Sequence, residues 1–126
     1  MNNFTPEQRH QVFMQLMQGF MMAPPAALDA RWAWLEAAHV VGQTELRLHW
    51  AAHTAMLRFA IQTRNLREVA GQLLRLALVP LGHLLQRLPA GNIGRATVSA
   101  FATMPAHERS NQLIRQAARA AESSPF

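Results

Sequence analysis

An all-α fold is what the sequence predicts: an antiparallel array of four core helices, then an irregular loop and a C-terminal helix. Three observations carry it. Apolar residues recur at helical spacing in four successive segments. Turn chemistry at Pro24-Pro25, at Gly42-Gln43-Thr44 and around Arg64-Asn65 separates those segments. Near the N-terminus, Thr5-Pro6-Glu7-Gln8 joins a capping hydroxyl, a proline at the first helical position and a Gln three residues after the cap.

The first helix runs from this start to about Met22, with Phe13, Met17, Phe20 and Met21 at helical spacing, and Pro24-Pro25 end it. Residues 26–41 form the second, with Leu28, Trp32, Leu35, Ala38 and His39 on one stripe. Thr44 caps a third, which continues to about Thr63 and carries Leu46, His49, Trp50, His53, Met56, Leu57 and Ile61. Asn65 caps a fourth, whose apolar residues are Leu66, Val69, Leu73, Leu76 and Ala77; Pro80 kinks or ends it before Leu88. Between Pro89 and Pro105 the period is lost, and Pro89-Ala90-Gly91-Asn92-Ile93-Gly94 is turn chemistry. A last helix over 106–122 has few large apolar residues besides Leu113 and Ile114, which predicts weak packing.

Segments 28–41 and 66–79 align at an offset of 38 residues, with Leu28/Leu66, Leu35/Leu73 and Val41/Val79 in register. That period lies near the one of helical-hairpin repeats, roughly 34 residues. The arrangement expected is two stacked αα-hairpins, tetratricopeptide-like or an up-down bundle, with the core over 5–88, the loop over 89–105 and the last helix over 106–122. The tetratricopeptide likeness is loose, because the Trp, Gly and Tyr positions of that repeat's first helix are not met.

The 126 residues suffice for one domain with its own core. With no cysteine, thiolate metal sites, thiol nucleophiles and redox pairs are excluded, so a metal must be held by nitrogen, carboxylate or thioether. All twelve basic residues are Arg and give a net charge of +5, but they are dispersed from Arg9 to Arg119. Nucleic-acid binders concentrate such charge, so nucleic acid is not the partner expected. The N-terminus lacks the basic and apolar regions of a signal peptide, and the apolar run 76–86 is too short to span a bilayer. A cytoplasmic location is expected.

Folded into antiparallel helices, the histidines meet. Reflection about turns near 24, 43 and 64 brings His10, His39, His49 and His83 to one end of the array, with Glu36 and His53 about a turn deeper. Glu36-x-x-His39 and His49-x-x-x-His53 each put two ligand-capable side chains on one helix face. Facing pairs of this kind build metal sites inside helical bundles. A di-iron site needs about four carboxylates, and here only Glu36 and Glu45 are placed for it. A mononuclear, nitrogen-rich site is therefore expected from Glu36, His39, His49, His53 and His83. His39, His49 and His53 are the leading ligands, and Glu36 is a fourth ligand or the acceptor that fixes an imidazole tautomer. Zinc, copper, iron and nickel all suit such donors.

Other features have plainer readings. Met14, Met17, Met21 and Met22 could hold copper(I), but this spacing is that of an ordinary core stripe. Trp32, Trp34 and Trp50 belong to core or pocket wall. The turn Gly91 to Thr97 lacks the Lys-Ser/Thr of a phosphate-binding loop. There is no Ser/His/Asp set and no carboxylate pair for acid–base catalysis, so an enzyme would work only through a metal or a cofactor.

Four stretches taken together carry a resemblance. They are Trp34 to Gln43, His49-Trp50-Ala51-Ala52-His53, Arg67 to Arg75, and Pro89 to Gly94 continuing through Met104-Pro105. As a set they resemble a family of short bacterial proteins catalogued as a domain of unknown function. The resemblance covers about 28–105, leaving the first helix, His10 and His107 outside it. It implies a helical fold, a recurring Glu/His constellation and an association with heavy-metal-resistance gene clusters, and it brings no activity with it.

The leading expectation is a small metal-binding protein with its site between the second and third helices. The alternative is a repeat-type interaction module without metal, its histidines hydrogen-bonded within the hairpins and its partner a second protein or a homo-oligomer. A metal- or cofactor-dependent enzyme of unknown substrate is the third.

Overall fold

A computed structural model describes residues 3–85 and 108–123. The expected loop over 89–105, the glycine turn within it and His107 lie outside the described residues.

Among the described residues five helices follow one another: α1 (Pro6–Met22), α2 (Leu28–Gly42), α3 (Leu46–Gln62), α4 (Leu66–Leu85) and α5 (Glu108–Ser123). The all-α class holds, and α1 to α4 pack in sequence, each against the next. At the start of α1 the capping box is complete: the Gln8 amide donates to the Thr5 hydroxyl and the Gln8 side chain accepts from the Thr5 amide. The third helix begins later than its sequence suggests. Glu45, not Thr44, is its N-cap residue, and no side chain caps it. Asn65 does cap α4, accepting from the Glu68 amide at 3.2 Å. The preceding helix closes through Asn65 N–H to Ala60 carbonyl and Arg64 N–H to Ile61 carbonyl, with Arg64 at φ 57°. This is the reciprocal closure that usually places glycine in the left-handed position. Pro80 lies inside α4, which continues to Leu85.

At the centre of the molecule lies α2, buried nearly all round from Trp32 to Gly42 because α1, α3 and α5 surround it. Its small residues Ala33, Ala37 and Ala38 let those neighbours approach. Helix α1 contributes Val12, Phe13 and Leu16 to this core. Gly19 lies against the Trp34 ring so closely that a methyl group there would sit 2.5 Å from it. Toward the other end, the Trp32 and Phe59 rings meet with centroids 5.0 Å apart and planes inclined at 60°, and the Arg31 guanidinium lies over Phe20 and Phe59. Arg9 closes the C-terminus of α2 by donating to the Val41 carbonyl.

Two expectations about packing fail. The last helix is no weak appendage: Ile114 and Ala117 belong to the core cluster with Val12, Leu16, Ala38 and Val41, so α5 rests on α1 and α2. Ile114 is its apolar anchor, with Leu113 packed against the same cluster, and the small buried residues Ala117 and Ser110 allow close approach beside it. The 38-residue similarity is not repeated in burial either. Leu35 is fully buried, whereas Leu73, its counterpart, is 55% exposed.

Candidate metal centre

The site forms where α2, α3 and α4 meet. His39 comes from the buried helix α2, and His49 and His53 come from one face of α3, a turn apart. All three side chains are buried. Their Nε2 atoms point at one another, with His49 Nε2 3.1 Å from His39 Nε2 and 3.2 Å from His53 Nε2. The three ligand atoms lie within 4.8 Å of one another. Nitrogens bound tetrahedrally to zinc at about 2.0–2.1 Å stand roughly 3.3 Å apart. The two short spacings therefore approach the edges of a coordination polyhedron without any rearrangement.

The outer nitrogens are fixed by α4. Gln72 presents its amide nitrogen to Glu68 Oε2 at 3.2 Å, which leaves its carbonyl oxygen facing His53 Nδ1 at 2.7 Å. A carbonyl only accepts, so Nδ1 of His53 carries the proton and Nε2 is bare. His49 Nδ1 lies 3.0 Å from His83 Nε2. Both contacts are of the kind that orients a ligating imidazole through its second nitrogen.

This tautomer has a consequence at the centre. With His53 Nε2 bare, a proton on His49 Nε2 would serve two nitrogens at once, and a further proton on His39 Nε2 would collide with it. A divalent ion satisfies three lone pairs together. Burial also keeps the two rings of α3 neutral, as ligands must be. Desolvation, with repulsion from His53 and His83, pushes the pKa of His49 from 6.5 down to about 3. Burial lowers His53 to about 4, the hydrogen bond to Gln72 opposing that fall and the Arg75 charge adding to it. Burial lowers His83 as well.

Of the five residues expected at a site, the structure brings His39, His49 and His53 together, and places His83 against the outer nitrogen of His49. Glu36 is buried on α2 and forms an ion pair with Arg109 of α5 at 3.6 Å; it is outside the converging group. His10 is exposed on α1 and is not in the converging group; it lines a groove with Met14, Met17, Met21 and Glu45. Hence the methionine stripe joins the core only at Met17, which packs against both core clusters. Met14, Met21 and Met22 are exposed, and the buried positions of α1 are Val12, Phe13 and Leu16. Trp50 is exposed too, whereas Trp32 is buried as expected.

Three residues of the site were not foreseen: Glu68, Gln72 and Arg75, all buried on α4. Their signal is a polar stripe at positions 68, 72 and 75 of an otherwise leucine-rich helix, spaced by four and three residues. Arg75 donates to the Gly71 carbonyl at 3.2 Å; burial lowers its pKa from the ordinary value, and the Glu68 charge opposes that fall.

Residues 7–114 match the family described as a protein of unknown function (DUF3703), and the chain belongs to that family. The matched span takes in most of α1, with His10, and the first part of α5, so it is longer than the stretch that carries the resemblance in the sequence. No curated protein and no solved structure matches the chain. Among the described residues no helix is long and apolar enough to cross a membrane.

Proposed function

We propose that the protein binds a single transition-metal ion through His39, His49 and His53. The observation that carries this reading is the convergence of three buried Nε2 atoms, two of their separations being 3.1 and 3.2 Å. Gln72 and His83 would hold the rings of His53 and His49 in the ligating tautomer, and Glu68 would hold Gln72. Imidazole donors without thiolate suit zinc, copper, iron or nickel. Three protein nitrogens leave a fourth position of a tetrahedral ion for water or a small molecule. In this reading Glu36 serves to anchor α5 through Arg109, and the ion's positive charge is left for that fourth ligand to offset.

Metal analysis of protein purified without a His-tag tests the proposal, beside the double variant His49→Ala/His53→Ala. Near-stoichiometric metal in the wild type and loss of it in the variant is the expected result. Equal, substoichiometric metal in both would remove the reading.

A further inference from the structure

Helix α4 is built inside out. Among the described residues its principal packing partner is α3, and the positions it buries are Glu68, Gln72, Arg75 and Val79. The other face carries Leu66, Ala70, Leu73, Ala77, Pro80 and Leu84, every one of them exposed. Leu66 and Leu84 are each 78% exposed, and three further exposed leucines flank the stripe. No ionisable side chain falls within it. A helix that turns its polar side inward, and leaves its leucines in water, forgoes most of the transfer free energy its composition could supply.

We propose that this face is the interface of a homodimer, in which α4 packs antiparallel against α4 of a second copy. The spacing of the stripe is four, three, four, three and four residues. That is the 3.5-residue period by which two helices keep one seam in contact along their length. The stripe is also complementary to itself. A two-fold axis at the level of residue 75 sets Leu66 against Leu84 of the second copy, Ala70 against Pro80, and Leu73 against Ala77. Leucine thus meets alanine beside the axis, where the helices cross most closely, and large meets small as an interdigitating seam requires. The leucines of this face expose on the order of 600 Å² per copy, at the top of what a monomer leaves in one patch and approaching the share a standard interface takes from each partner. An isologous contact needs only this one patch. The proposal does not depend on the metal site, which lies on the opposite face of the helix.

Light scattering on the full chain as it leaves a sizing column, run with chelator and again with zinc, gives the first test. A mass twice the 14.1 kDa of the chain is expected in both. Leu73→Glu should halve that mass and leave the helical circular dichroism unchanged, because the residue makes no core contact. A monomeric wild type, or a Leu73→Glu variant that stays dimeric, overturns the proposal. The register has its own test, since the chain has no cysteine. Chains carrying Leu73→Cys and chains carrying Ala77→Cys, mixed and oxidised, should form mainly the mixed 73–77 disulfide. A predominance of 73–73 and 77–77 products rules out the antiparallel pairing.

Discussion

Across the α3–α4 interface, His53 Nδ1 and Gln72 Oε1 lie 2.7 Å apart, and the Gln72 amide nitrogen is held in turn by Glu68. The pair decides which nitrogen of His53 is free to face the other two histidines. Removing the acceptor leaves all three proposed ligands in place while releasing the tautomer of one. Gln72→Leu is therefore expected to lower zinc affinity by about 10- to 100-fold. Competition against a chromophoric chelator measures it. Equal affinities in wild type and variant would assign Gln72 a packing role alone.

Metal removal gives a second expectation. An ion that binds only the folded chain adds RT ln(1 + [L]/Kd) to stability, about 4 kcal/mol when the free ion is at a thousand times Kd. Wild-type protein should melt at a clearly lower temperature in chelator than in zinc. His49→Leu should show one melting curve in both, since His49 stands between the other two rings. It should also fold well in chelator, because a hydrocarbon side chain there asks for no shared proton.

The sequence made α1, α2 and α3 legible because their buried stripes are mostly apolar and their boundaries carry proline, glycine or a capping hydroxyl. It brought His39, His49 and His53 together through one tight turn and two short spacings on helix faces. What it hid was α4. There the leucine period marks the outward face, and the side that faces the site is Glu68, Gln72 and Arg75. A hydrophobicity rule reads such a helix backwards, because the demands of three imidazoles override the burial of leucine. The α5 helix was underrated for a related reason: alanine and serine contribute little to a hydrophobic stripe but permit the close packing seen at Ala117 and Ser110.

Gly19 shows how tightly α1 meets α2. A Cβ there would lie 2.5 Å from the Trp34 ring, well inside contact distance. Gly19→Ala gains helix propensity, worth up to about 1 kcal/mol, but overpacking costs roughly 1–3 kcal/mol. The net effect expected is destabilisation, read as a lower urea midpoint with an unchanged slope. Pairing it with Trp34→Leu should recover part of the loss.

Arg64 holds a left-handed conformation at φ 57° where the α3–α4 turn closes. An L-residue with a Cβ spends about 1–2 kcal/mol in that region, and glycine does not. Arg64→Gly is accordingly expected to stabilise the protein by up to about 1 kcal/mol, after the larger chain entropy of glycine in the unfolded state is deducted. Chemical denaturation in chelator, where the metal site contributes nothing, measures it directly.

The pH dependence of the metal-free protein follows from the low pKa values of His49 and His53, about 3 and about 4 against 6.5 in the unfolded chain. Between pH 6.5 and about 4 the unfolded chain takes up protons on both residues that the folded chain refuses. Stability is therefore complete above pH 6.5 and falls as pH drops below it, by up to about 1.4 kcal/mol per pH unit for each ring. From pH 7.5 to 5.5 the two together should cost about 3 kcal/mol, and the lowered pKa of His83 acts in the same direction. Urea titrations in chelator at half-unit steps test this. The double variant His49→Leu/His53→Leu has neither ring to protonate, so its stability should change much less over the same interval. With zinc present the loss over this interval should match that in chelator, because folded rings with pKa values of about 3 and about 4 are already neutral; the increment added by zinc should shrink only as pH approaches those values. A wild-type curve as flat as that of the double variant would mean that the folded chain takes up these protons as readily as the unfolded one, so that burial does not hold the two rings neutral.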